Sequence, residues 1–155
     1  MKKFLIGILV SVIILTGIAG TGLIVVGRPL QGILQGGAYI IASDAPTLDR
    51  QMGQIFHTFY GARVAVCDGT ADQVEIKAAI AALPTDGGKV KLSMGNFQLS
   101  ANITIDDTSI HLQGEGGGTI IWAAIGMNDS MIVGSGADRY NCKLSDFRMA
   151  GRSAN

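Results

Sequence analysis

Between Cys67 and Ile105 the hydrophobic period changes from helical to alternating, and that change constrains the fold more than any other feature of the chain. Thr70 and Gln73 have the spacing of a capping box, and Asp72 sits in the first turn, where the helix dipole favours an anion. Val74, Ile76, Ala79, Ile80 and Leu83 recur near helical spacing, and Pro84 with Gly87-Gly88 ends the run. The spacing predicts one short amphipathic helix ending at Leu83.

Beyond Gly88 the apolar residues come in pairs two apart: Val90 and Leu92, Phe97 and Leu99, Ile103 and Ile105, Ile110 and Leu112, Ile120 and Trp122, Met131 and Val133, Cys142 and Leu144, Phe147 and Met149. Each pair points two side chains to one face of a strand. Gly95-Asn96, Asp106-Asp107, Gly114 to Gly118, Asn128-Asp129 and Gly134 to Gly136 punctuate the pairs and suit tight corners. Strands this short cannot each build a hairpin with a sizeable core. They can stack, because a solenoid buries each apolar pair against the next coil. The expected fold is mainly β, a right-handed parallel β-helix with N-terminal capping helices.

The combined pattern resembles the N-terminal part of the pectate-lyase-like β-helix superfamily. Asp68-Gly69-Thr70, Asp72, Ile76, Ala79-Ile80, Leu83-Pro84, Gly87-Gly88, Val90, Leu92, Gly95, Phe97 and Leu99 carry the resemblance. His111 to Trp122 and Cys142 to Gly151 continue it, so that it covers roughly the last 90 residues. The resemblance implies long carbohydrate chains as ligand, but a fold does not by itself assign an activity. Lyases of that superfamily use basic residues with calcium held by acidic side chains, and the hydrolases use clustered aspartates. No such motif can be carried onto a position of this chain. The expectation is therefore a carbohydrate-associated module that is noncatalytic here. A longer protein carrying this part would be a polysaccharide lyase or glycoside hydrolase.

Mean hydropathy of +0.37 is high for a globular chain, and the excess is localised. Phe4 to Gly27 holds no charged residue and follows Lys2-Lys3. At about 1.5 Å per residue it is long enough to cross a roughly 30 Å hydrocarbon core. Residues 1–27 read as a transmembrane anchor or signal segment. An uncleaved anchor is favoured, because a signal peptide has a shorter apolar core and Ala19-Gly20 is a poor cleavage site. The lysine pair puts the N-terminus inside and the body outside, membrane-anchored or secreted.

Residues 28–42 read as a linker, or as a short strand around Ala38 to Ile41, and residues 43–155 as the cap and first coils of an incomplete β-helix. Ser43 or Asp44 is expected to cap a second helix with Pro46 in its first turn. On it Leu48, Met52, Ile55 and Phe59 make one apolar stripe, read as packing against the first coil or the other helix. After the last strand pair neither a terminal helix nor a charged edge follows. The expectation is either further coils in a longer protein or an edge covered by another copy, the latter giving a structural or adhesive, tailspike-like surface protein.

Charge balances at +0, with 12 basic and 12 acidic residues and no basic stripe interleaved with aromatics, which argues against nucleic acid. His57 and His111 lack metal-ligand spacing to each other or to Cys67 and Cys142, so neither metal nor cofactor is expected. The cysteines read as small buried apolar residues rather than as a disulfide. His111, between Ile110 and Leu112, should point outward. Trp122, alternating with Ile120, should point inward. Asp106, Asp107, Asp129, Asp138 and Asp146, with Lys89, Lys91, Arg139, Lys143 and Arg148, fit solvated corners and outward strand positions. Gly114 to Gly118 lacks the Lys-Ser/Thr pair of a phosphate loop and reads as a corner.

Overall fold

The structure, a computed structural model, describes residues 37–135 and 141–151. Phe4 to Gly27, the segment read as an anchor, lies outside them, as do Asp138 and Arg139. Among the described residues no helix is long and apolar enough to cross a membrane. The described residues form ten short strands and two α-helices, in the order β1 (Ala38–Ile41), α1 (Thr47–Tyr60), a 3-10 turn (Gly61–Arg63), β2 (Val64–Val66) and α2 (Gln73–Ala81). There follow β3 (Gly88–Leu92), β4 (Gly95–Leu99), β5 (Ile103–Ile105), β6 (Ile110–Gln113), β7 (Thr119–Ala123), β8 (Ile132–Gly134), β9 (Lys143–Ser145) and β10 (Arg148–Ala150).

All strand pairing among the described residues is parallel. One sheet runs β2-β1-β3-β6-β9, a second β10-β7-β4, and a third is the pair β5-β8. Successive triplets therefore pair strand for strand: β3, β4 and β5 with β6, β7 and β8, and β6 and β7 with β9 and β10. The register stacks like on like. Ala38, Val90, Leu112 and Leu144 align in one inward column, and Phe97, Ile121 and Met149 in another. Inward positions from Ala38 to Ile121 form one continuous core. The strand anticipated as an alternative to a linker forms as β1, fully buried between β2 and β3.

Two inward assignments from alternation are corrected. In β7 the buried residues are Thr119, Ile121 and Ala123, so Ile120 and Trp122 face outward. The stretch TIIWA is apolar in both phases, and pairing with Phe97 and Leu99 of β4 selects Ile121 and Ala123 for the interior. In β8 the same ambiguity puts Ile132 and Gly134, rather than Met131 and Val133, opposite the buried Ile103 and Ile105.

Both helix starts also differ from expectation. α1 begins at Thr47 after Pro46, without a side-chain cap. Its buried face is Gly53 and Phe56, flanked by Met52 and Tyr60, whereas Leu48, Ile55 and Phe59 are exposed. Gly53 decides this: a Cβ there would meet the side chains of Ile41 and Val66, so the helix lies close on β1 and β2 by that face. α2 begins at Gln73, not at Thr70, and ends at Ala81 rather than Leu83. Val74 faces water while Gln73, Ile76, Ala79 and Ile80 are buried. Thr70 is held instead by Asp68, whose Oδ1 accepts from the Thr70 amide at 2.8 Å and hydroxyl at 2.9 Å.

The outer edge of β4 faces no strand among the described residues; the polar groups that precede and open the helices bond to it. Asp44 Oδ1 accepts from the Asn96 amide (2.8 Å), and Asp72 Oδ2 from the Gln98 amide (2.7 Å). The Asp72 amide donates to Gln98 O (2.8 Å), and Gln73 Oε1 accepts from the Ser100 amide (3.1 Å). Residues 96, 98 and 100 present their amides to one side, as a strand does, and three side chains stand in for the missing neighbour.

Candidate functional site

Outward positions of the five-stranded sheet form two rows across the strands. Lys89, His111 and Lys143 align in one row; Tyr39, Lys91, Gln113 and Ser145 align in the next. In-register parallel pairing makes such rows, since each outward residue sits about 4.8 Å from its counterpart. His111 faces outward as expected, and three of the five basic candidates, Lys89, Lys91 and Lys143, share its face.

The second row is tied down. Lys91 Nζ lies 3.0 Å from Glu115 Oε1 and 5.9 Å from the ring centre of Tyr39, whose hydroxyl donates to the same carboxylate at 3.4 Å. Gln113 Nε2 donates to Asp146 Oδ2 (2.7 Å), and so does the Ser145 hydroxyl (3.0 Å). With its own proton directed at Asp146, the Ser145 oxygen is left to accept from His111 Nε2, 2.8 Å away. Burial, with Lys89 and Lys143 alongside, holds the His111 pKa below its ordinary value, opposed only by Asp146. The order of this chain is not that of a hydrolytic triad. There the carboxylate orients the histidine and the histidine deprotonates the serine; here the histidine donates to the serine and the serine to the carboxylate.

In the first row, Lys89 and Lys143 are exposed on either side of His111, and neither makes an ion pair among the described residues. Two strand steps separate them, about 9.6 Å between backbones.

The acidic candidates among the described residues fall at different corners. Asp106 and Asp107 lie between β5 and β6, Asp129 between β7 and β8, and Asp146 between β9 and β10. Arg148 stands on the three-stranded sheet, in register with Ile120 and Asn96. On that sheet a shallow depression of about 440 Å³ is lined by Asn96, Ile120, Trp122, Ala150 and Gly151.

One grouping escaped the sequence reading. Cys67, Asp72 and Glu75 bring a ligand-type atom each within 4.8 Å of one another beneath the helices. Asp72 already accepts two backbone hydrogen bonds, from Gly69 (2.9 Å) and Gln98, so it braces the loop to β4. Burial, then the carboxylates of Asp72, Glu75 and Asp68, push the Cys67 thiol far up, which keeps it protonated. Cys67 is buried as expected, but Cys142 is not: it lies exposed just before β9, with its Sγ 3.4 Å from Asp107 O, and no disulfide joins the two. The spacing five and then three was readable, but only the fold brings the strand end beside the first helical turn. The lysine row was likewise hidden, because 22 and 32 residues separate its members and only the pairing register unites them.

No family model, no curated protein and no solved structure matches the chain.

Proposed function

We propose that this chain opens a right-handed parallel β-helix of the pectate-lyase-like kind, tethered through residues 4–27 with its body outside, and that it binds an acidic polysaccharide without cleaving it. Strand-for-strand parallel pairing of successive triplets supports the β-helix reading. The observation that carries the ligand is the row Lys89, His111, Lys143: two exposed ammonium groups a short step apart along a polar, rigid sheet face. A polyuronate presents carboxylates at repeated intervals and can engage both at once, which raises avidity beyond either contact. The reversed histidine–serine–carboxylate order and the dispersed aspartates favour binding over hydrolysis.

The test is binding of full-length chain in detergent to polygalacturonate and to neutral dextran. Selective binding to polygalacturonate that weakens with salt, and weakens several-fold in the Lys89→Ala/Lys143→Ala variant, is expected. Equal affinity for dextran, or no loss in the double variant, would overturn the ligand assignment. Growth of unsaturated-product absorbance with calcium would overturn the noncatalytic part.

A second reading rests on a separate observation. Leu144 and Met149 continue the inward columns yet are 46% and 52% exposed, and β8, β9 and β10 are the outermost strands of their sheets among the described residues. Such an edge invites another copy, as in a structural or adhesive assembly completed by self-association.

A further inference from the structure

We infer that α1 lies in the membrane interface, with Leu48, Ile55 and Phe59 set into the boundary between headgroups and acyl chains. The inference rests on the anchor reading above and adds the orientation of the body on the bilayer.

α1 is amphipathic twice over. Gly53 and Phe56 face β1 and β2, while Leu48, Ile55 and Phe59, at spacings of seven and four, are 43%, 48% and 51% exposed. The exposed positions carry no formal charge with His57 neutral: Thr47, Gln51, Gln54, His57 and Thr58 complete them, His57 held by its ring nitrogen 2.6 Å from Val64 O, and Asp49 and Arg50 are half-buried. A charge-free face with three large apolar side chains along about 21 Å of helix is poorly suited to water and well suited to an interface, where such faces settle about 5–10 Å deep.

Where the chain enters the body identifies the bilayer as the occupant. Only residues 28–36 separate the charge-free segment from the described body, a reach of about 30 Å at full extension. The body begins with β1, and α1 packs on β1 and β2. The apolar stripe is therefore on the second element after the point of attachment, packed on the first. The lysine row extends along the same sheet from β3 to β9, away from β1.

The experiment places full-length chain in phosphatidylcholine vesicles, with and without bromine on the acyl chains. Trp122 is the sole tryptophan and reports from the three-stranded sheet. In a Trp122→Phe background, Ile55→Trp and, separately, Phe59→Trp report from α1; both sites are exposed, so folding is not at stake. Brominated lipid is expected to quench the α1 tryptophans by about twofold or more, as for groups in the boundary layer, and to leave Trp122 in the unaltered chain nearly unquenched. Chain that floats with vesicles while neither α1 tryptophan is quenched more than Trp122 would overturn this inference alone. Chain that does not float would overturn the anchor reading and this inference with it. An emission shift at residue 55 that follows protein concentration and ignores bromine would assign the face to a second copy, and would also overturn the inference.

Discussion

Among the described residues, the two ends of the stacked sheets are finished in different ways. At the first edge of the three-stranded sheet, the backbone groups of residues 96, 98 and 100 on and after β4 are met by Asp44, Asp72 and Gln73. The core beneath is sealed, with Val90, Phe97 and Leu112 entirely buried. At the last edge, β9 and β10 repeat the inward columns with Leu144 and Met149, about half of each in water. An open strand edge is a template for any further strand, whereas a side-chain brace ends pairing because it satisfies the groups without offering new ones. Capping here is done by particular carboxylates and amides rather than by helix coverage alone. The two ends should respond very differently to substitution.

The largest effect is expected at Asp72. It is wholly buried and accepts from the Gly69 and Gln98 amides, one on each oxygen. Asp72→Ala strands both donors, each at roughly 1–3 kcal/mol, so a loss of about 3 kcal/mol or more is expected in urea unfolding at pH 7. Asp72→Asn keeps one acceptor and should fall between. A loss below about 1 kcal/mol for Asp72→Ala would mean that helix packing, not the brace, closes this end.

Asp72 also sets a pH dependence. Burial raises its pKa, the Gln98 and Gly69 amides pull it back, and Glu75 and Asp68 add to the rise. The native state thus holds a proton more readily than the unfolded chain, where the carboxyl titrates near about 3.9. Stability from this group is full below that value and declines as pH rises through the higher native pKa, since the unfolded state then binds fewer protons. Measured from about pH 4 upward, unfolding free energy should fall less with pH in Asp72→Asn than in the parent. An unchanged slope would place the titration elsewhere.

How far the sequence exposed this design depended on whether a local pattern had one solution. The alternations Val90/Leu92, Phe97/Leu99, Ile103/Ile105 and Ile110/Leu112 each have a single apolar phase, and all eight residues are buried as read. TIIWA and Met131 to Val133 have two apolar phases, and only pairing with the preceding triplet selects between them. α1 carries two apolar stripes; its packing face is set by Gly53, a residue with no side chain to register in a hydrophobic pattern. The capping box failed because Asp72 is recruited 26 residues along the chain to β4, a contact that no local signal encodes. The lysine row was illegible for the same reason, being a product of register.

The smallest effect bears on the open end, and the column Val90, Leu112, Leu144 contains its own control. Leu112 is fully buried, and Leu112→Ala should cost about 2–5 kcal/mol through lost burial and the cavity left behind. Leu144 has the same chemistry and the same inward orientation one strand later, but is 46% exposed. With nearly half of its surface exposed there is little burial to lose and no closed cavity to create, so Leu144→Ala should cost less than about 1 kcal/mol and be independent of protein concentration. The paired substitution separates two physical states of one surface. If Leu144→Ala approaches the Leu112→Ala cost, and the difference grows with concentration, the columns run on into another copy, because only a bound neighbour makes stability depend on protomer concentration. If it stays small at every concentration, self-association does not bury this edge, and the assembly reading loses the observation on which it rests.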